Sequence, residues 1–367
     1  MKSAPDKYWD VDTPALLIEL DQLERNLAGM ARLARQWNVS LRPHIKTHKS
    51  LALAKLQLSH SADGLSTAKL DEAEVMAEVS DDLFVAYPIV SRAKAERVAR
   101  LAATTKRFVV GLDHEAGIEQ LGAIAREADR PLKVLIEVDS GLGRCGVPPD
   151  GVGELARLAN RSGWLEVAGV FTHAGHAYRA TGADEVRATA GDEVRAALEA
   201  AESLPSSSEP YVVSVGSTPT SLVDVDRTGI TEVRPGNYIF MDRTQVSLGV
   251  AALDQCALTV LATVVSAQPG RAVIDAGSKV FGLDRGGHGV ASIDGYGVDV
   301  LSGAVVSWLS EEHGVIDDPE RRLEVGDRVR VVPNHACTAT NLASRLWGVR
   351  DGVVETEFTV DVRGGGC

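Results

Sequence analysis

The sequence predicts an α/β fold: a (β/α)8 TIM-type barrel followed by a mostly antiparallel β-domain. Three observations carry this. Short, continuous apolar runs alternate with amphipathic stretches eight times through the first two thirds of the chain. Beyond about Gly249 the amphipathic stretches stop and apolar runs follow one another directly. The 367 residues exceed the roughly 250 that one barrel needs. The expected domains are residues 15–249 for the barrel and 250–367 for the β-domain, with residues 1–14 a candidate addition to the second.

The expected barrel strands are Val39–Lys46, Gly64–Ala68, Leu83–Tyr87, Phe108–Leu112, Leu132–Asp139, Val167–His173, Tyr211–Gly216 and Thr231–Arg234. Most are rich in Val, Ile or Phe without polar alternation, as strands covered on both faces should be. Between them lie helical patterns. Asp21–Trp37 sets Leu23, Leu27, Met30, Leu33 and Ala34 on one face. Lys69–Val79, Arg92–Ala103, His114–Glu127, Asp150–Ser162 and Ala183–Leu204 repeat the scheme. In the β-domain the expected strands are Ala257–Ala267, Arg271–Asp275, Val298–Leu309, Arg328–Pro333 and Val353–Val362. Ala15–Leu20 can pair with either domain, and the tail Arg363–Cys367 reads as flexible.

Composition narrows the function. A net charge of −13 argues against a nucleic-acid partner. The segment Met1–Asp12 is polar and mixed in charge, so it does not read as a signal peptide. No apolar run reaches membrane-spanning length. Cys145, Cys256, Cys337 and Cys367 are scattered, which fits reduced thiols in the cytoplasm rather than a disulfide framework.

The richest segment is Leu41-Arg42-Pro43-His44-Ile45-Lys46-Thr47-His48-Lys49. It puts Lys46 at the C-terminal mouth of the first barrel strand, where barrels bind ligands. Crowding by Arg42, His44, His48 and Lys49 should lower the lysine's pKa, which suits a Schiff-base former. Gly141-Leu-Gly-Arg-Cys-Gly146 matches a dinucleotide fingerprint literally. Pro148 and Pro149 delay the helix that such a motif must open, so it reads instead as a mouth loop presenting Asp139, Ser140 and Arg144. Thr172-His173-Ala-Gly-His176-Ala-Tyr178 gathers polar side chains at the next strand end. Taken alone, His173 reads as a core histidine; at the same mouth as Lys46 it reads as a site residue. Gly216-Ser217-Thr218-Pro219-Thr220 and Arg234-Pro235-Gly236-Asn237-Tyr238 end the last two strands, the usual barrel phosphate site. In the β-domain, Asn334-His335-Ala336-Cys337 places imidazole and thiol at i and i+2 of a strand end. Nitrogen plus sulfur suits zinc, and two protein ligands leave positions open for chemistry. Asn334 is placed to orient the histidine.

Together these segments, with Asp12-Thr13-Pro14-Ala15 and Glu312-His313-Gly314, resemble the D-serine dehydratase / D-threonine aldolase family of fold-type III pyridoxal-phosphate enzymes. The resemblance implies that Lys46 forms the Schiff base with pyridoxal 5'-phosphate. Ser217, Thr218, Gly236 and Asn237 would hold its phosphate; Arg144, His173 and Tyr178 would contact ring or substrate, His173 and Arg144 in catalytic roles. His335 and Cys337 would bind a divalent metal, zinc first, with manganese or magnesium as alternatives. The implied assembly is a homodimer in which the β-domain of one subunit closes the barrel mouth of the other. The implied substrates are small β-hydroxy D-amino acids. His-x-Cys favours dehydration of D-serine or D-3-hydroxyaspartate, whereas the aldolases carry His-x-Asp. D-Threonine aldolase is the alternative, and an amino-acid racemase, which needs no metal, a further one.

Overall fold

The computed structural model describes residues 7–287 and 293–367; residues 1–6 of the N-terminal segment lie outside them. β1 (Ala15–Glu19) comes first, then eight short strands: β2 (Ser40–Leu41), β3 (Leu65–Thr67), β4 (Asp82–Pro88), β5 (Arg107–Leu112), β6 (Leu132–Val138), β7 (Leu165–Thr172), β8 (Val212–Val215) and β9 (Glu232–Val233). β2 to β9 form one sheet in the order β2-β9-β8-β7-β6-β5-β4-β3, every pair parallel. The sheet curls until its end strands meet. His44 bridges Ser66, and Ser66 N donates to Pro43 O at 2.8 Å.

β6 shows why these runs become central strands. It buries Leu132, Val134, Leu135, Ile136 and Val138, and so both faces at once. Phe84, Val109, Leu135 and Phe171 fill the interior, with the two phenyl rings edge-to-face at 4.9 Å. β7 meets β8 so closely at Gly169 (φ +146°) that a Cβ there would sit 2.0 Å from Val212 O. Outside lie α1 (Leu20–Trp37), α2 (Leu51–Ser59), α3 (Leu70–Met76), α4 (Arg92–Thr104), α5 (Glu115–Glu127), α6 (Val152–Arg161) and α7 (Ala183–Glu202).

α8 (Arg243–Ser247) leads into the second sheet: β10 (Leu258–Gln268), β11 (Gly270–Ile274), α9 (Ser278–Phe281), β12 (Gly297–Asp299), β13 (Val306–Leu309), β14 (Gly314–Asp318), β15 (Arg328–Pro333), α10 (Ala336–Leu342), β16 (Arg345–Arg350) and β17 (Val353–Thr359). Its order is β13-β14-β11-β10-β1-β16-β17, with β15 also on β10 and β12 on β15. The β1–β16 pair is parallel; the other pairs are antiparallel. β1, open between the two domains on sequence, thus lies in the second sheet.

Three expected elements come out differently. The Val39–Lys46 strand stops at Leu41, because Pro43 has no N–H to continue a ladder. Val298–Leu309 is two strands joined by a turn at Gly303 (φ +71°). The tail docks: Val362 N donates to Lys49 O, Lys49 Nζ to Gly365 O, and Asp71 N to Cys367 O. Glu311 and Glu312, between β13 and β14, pair with the exposed Lys279.

Candidate active site

After Leu41 the chain makes one 3-10 turn, Ile45–Thr47, in which His44 Nδ1 accepts from Lys46 N. That turn delivers Lys46 into a cavity of about 760 Å³ at the C-terminal mouth of the sheet. The Lys46 pKa lies below its ordinary 10.5. Burial is the main cause; the Cys337 sulfur opposes it, Arg144 adds to it, Glu72 opposes it and Arg234 adds again.

Like-charge crowding by neighbours in sequence, the expected cause, is not what the structure shows. Arg42 points to the opposite end of the barrel, binding Glu232 at 2.6 Å and Asp82 at 2.7 Å. His48 is a buried core histidine, bonded to Gln57 at 3.0 Å and accepting from Ser50 N, with desolvation pushing its pKa down to about 4. Lys49 pairs with Glu72 at 3.4 Å.

His44, Arg144, His173, Tyr178, Ser217, Thr218, Gly236, Asn237, His335 and Cys337 line the same cavity as Lys46. The residues named from sequence for cofactor, metal and catalysis thus line one cavity. Asp139 and Ser140 are not among them: Asp139 Oδ1 accepts from Gly141 N and Gly143 N, and Ser140 Oγ bonds Thr172 Oγ1 at 2.8 Å. They shape the loop, while the half-exposed Arg144 reaches the cavity and approaches Glu137 at 3.4 Å. His173 Nδ1 faces Gly216 O at 3.4 Å. Burial above all, with Cys337 and Asp242 close by, pushes the Tyr178 phenol up from its ordinary value.

The loops after β8 and β9 fit a phosphate. Ser217 and Thr218 are buried, and Thr218 Oγ1 lacks a well-formed hydrogen bond among the described residues. A Cβ at Gly236 would meet His44 O and Thr47 Oγ1 at 3.1 Å, so glycine lets this loop lie close against the lysine turn. A buried amine of lowered pKa facing such loops is what pyridoxal phosphate requires.

His335 and Cys337 are not on a strand, contrary to the sequence reading. β15 ends at Pro333, His335 caps α10 in an extended conformation, and Cys337 lies in the first helical turn. Cys337 Sγ donates to Thr47 Oγ1 at 3.3 Å, one residue from Lys46. Burial depresses the His335 pKa, but the Cys337 sulfur and the Asp284 carboxylate outweigh it and hold it well above the ordinary value. Asn334 does not orient the imidazole; its amide donates to Arg285 O and Gly295 O. Asp284, which the sequence reading missed, binds His335 Nδ1 and accepts from Thr338 Oγ1 at 2.8 Å. With Nδ1 engaged, Nε2 is left as the metal donor. Asp284 Oδ1 is buried without a partner among the described residues, and this orphan beside a nitrogen and a sulfur donor fits a divalent cation. Asp113, Glu137 and Cys145 also bring donor atoms within 4.8 Å of one another, but Glu137 faces Arg144 and Asp113 accepts from Gly146 N. Through the Cys337–Thr47 contact the His335–Cys337 pair comes to the lysine turn of its own chain.

Residues 18–244 match the family described as alanine racemase, N-terminal domain, and residues 257–349 the putative serine dehydratase domain. The chain belongs to the fold-type III pyridoxal-phosphate family of lyases that includes D-serine dehydratase, D-threonine aldolase and 3-hydroxyaspartate dehydratase. It is 34% identical to the D-threo-3-hydroxyaspartate dehydratase of Delftia sp. (strain HT23), over 96% of this chain and 98% of that one. It is 31% identical to the D-threonine aldolase of Arthrobacter sp., over 96% and 93%. The solved Delftia enzyme superposes with a TM-score of 0.90, covering 99% of this chain and 100% of the other at 32% identity. One solved variant of that enzyme carries a cysteine-to-alanine change and is in a metal-free form. Among the described residues, no helix is long and apolar enough to cross a membrane.

Proposed function

We propose that this protein is a pyridoxal-phosphate- and metal-dependent dehydratase of β-hydroxy D-amino acids, releasing ammonia and a 2-keto acid. The observation that carries the reading is the meeting of Lys46, at lowered pKa, with His335 and Cys337 in one cavity, where Asp284 binds the His335 imidazole from behind. Ser217, Thr218, Gly236 and Asn237 would hold the cofactor phosphate, and Lys46 its aldehyde carbon. Tyr178 stands where ring or substrate must pass. When bound, pyridoxal phosphate supplies an electron sink for the substrate Cα, and a divalent ion at His335 and Cys337 supplies Lewis acidity toward the β-oxygen.

The chain's own groups do the rest. Lys46 Nζ takes the Cα proton, and burial, which lowers its pKa, favours the free amine that this needs. Arg144, with part of its charge free of Glu137, receives the α-carboxylate. His173 stands at the mouth to hand on a proton. Asp284 fixes the tautomer of His335. The sulfur at position 337 favours zinc over harder ions. It is also why dehydration is preferred to retro-aldol cleavage, the second reading, in which a base such as His173 would deprotonate the β-hydroxyl.

The reading extends to a division of labour between residues 15–249 and 250–367, with β1 tied to the second, and to a homodimer in the cytoplasm. Scattered free cysteines support that compartment. The test is product identification with D-serine, D-threo-3-hydroxyaspartate and D-threonine in turn. Ammonia with pyruvate or oxaloacetate supports the dehydratase; glycine with an aldehyde and no keto acid replaces it by the aldolase.

A further inference from the structure

Among the described residues, five lysine and arginine side chains line the cavity: Lys46, Lys49, Lys69, Arg144 and Arg234. Four are committed. Lys46 belongs to the cofactor in the reading above. Lys49 pairs with Glu72 and donates to Gly365 O. Arg144 faces Glu137. Arg234 is buried and donates to Thr172 O and Ser214 Oγ. The carboxylates of the lining among the described residues, Glu72 and Glu137, are thereby taken.

Lys69 remains. Among the described residues it has no carboxylate within ion-pair distance. Its Nζ lies instead 3.8 Å from the centroid of the Tyr87 ring, a ring that Lys94 also approaches at 5.9 Å. An aromatic face attracts an ammonium without neutralising it, so the charge is held in position and stays available.

The register explains why that position matters. His44 bridges Ser66, and Ser66 pairs with Phe84. Lys46 is two residues beyond His44, while Lys69 and Tyr87 are each three beyond their rung. Lys69 therefore follows the end of β3, the strand beside the one that leads to the reactive lysine, and caps α3 in the lining of the same cavity. It is half-buried, where screening of its charge by water and salt is incomplete.

We propose that Lys69, held over the Tyr87 ring, is the specificity-determining cation that receives a second carboxylate, one carried on the β-carbon of the substrate. This rests on the dehydratase reading for the reaction and adds the substrate class: β-hydroxy D-amino acids that are dicarboxylates. D-Serine and D-threonine leave the Lys69 charge unanswered, whereas a 3-hydroxyaspartate neutralises it. Tyr87 is a positioning residue in this account.

The test compares wild type with Lys69→Gln and Lys69→Arg as holoenzymes supplied with pyridoxal phosphate and zinc. The ratio of kcat/KM for D-threo-3-hydroxyaspartate to that for D-serine should fall roughly tenfold or more in K69Q, the loss expected for one charge-assisted contact at a partly exposed site. It should recover most of its value in K69R. Binding gives a readout independent of turnover. D-Aspartate has the second carboxylate but no β-hydroxyl to lose. Its affinity, followed by the change in visible absorbance, should weaken in K69Q while that of D-alanine does not. An unchanged substrate ratio together with unchanged D-aspartate affinity overturns the role of Lys69. A wild-type protein that turns over neither substrate sinks the dehydratase reading instead, and the D-aspartate titration alone then decides on Lys69.

Discussion

Arg42→Met should destabilise the protein far more than a surface charge change. Arg42 and Glu232 are 4% and 5% exposed, and their Nε–Oε2 contact is 2.6 Å. Removing the guanidinium leaves the Glu232 carboxylate buried, with the Ser214 hydroxyl at 2.6 Å still donating to it. Breaking a buried pair from one side costs about 3–5 kcal/mol. Asp82 adds little to that, since it is 21% exposed and keeps Arg107 at 3.5 Å. β2 and β9 should therefore lose much of what fixes their pairing, and the Lys46 turn follows directly from β2. Urea unfolding followed by circular dichroism is the assay, with the double variant R42M/E232Q beside it. Neutralising the stranded carboxylate should recover part of the loss, a coupling of about 1–3 kcal/mol.

The pH dependence has a defined sign. In the wild type, burial raises the Glu232 pKa, but Arg42, Ser214 and Arg234 together bring it below the ordinary 4.5. A depressed carboxyl pKa gives stability that is present above pH 4.5 and lost as pH falls through the folded-state value. In R42M burial dominates and the pKa rises above 4.5, so the penalty applies above pH 4.5 and is relieved below it. The R42M deficit should shrink on acidification. An R42M protein within about 1 kcal/mol of wild type, or a double variant no more stable than R42M, would refute the reasoning.

Three further outcomes follow from the site. Lys46→Ala should bind pyridoxal phosphate without the visible absorbance of a Schiff base, read on the purified protein. Condensation of the apoprotein with pyridoxal phosphate should reach half its maximal rate below pH 10.5, because burial lowers the Lys46 pKa and enlarges the free-amine fraction there; a midpoint at or above 10.5 would contradict the cavity's effect. Asp284→Asn should weaken metal binding by about 10–100-fold in a chelator competition, while leaving the absorbance of the bound cofactor in place.

Much of this was legible in the sequence, and the exceptions have physical causes. Strands such as β5 and β6 are buried on both faces, so their apolar runs stand out whatever surrounds them. α2 went unseen because Leu51, Leu53, Leu56 and Leu58 are spread among Ala52, Ala54, Lys55 and Gln57 and show no helical polar face. β14 and β16 went unseen because Asp317, Asp318, Arg345 and Arg350 at their ends leave only short apolar runs; they exist as strands because neighbouring strands supply hydrogen bonds. The barrel-mouth residues could be named because loops after parallel strands converge on one end. Asp284 could not: it lies 51 residues before His335 in a segment without periodicity, and only the fold joins them. Nor could the fates of Arg42 and His48 be read, since a residue's direction at the end of a strand depends on where that strand stops. The strand ends with the apolar run at Leu41, five residues short of the expected Lys46.

The central claim is that Lys46 and the His335–Cys337 pair act in one reaction. The most direct measurement is keto-acid release from D-threo-3-hydroxyaspartate by holoenzyme stripped of metal and then restored with zinc, in wild type and in Cys337→Ala. The account predicts loss on stripping and recovery with zinc in the wild type. In the variant it predicts little release under either condition, with the visible absorbance retained. Full release from the metal-stripped wild type, or from Cys337→Ala, would contradict it.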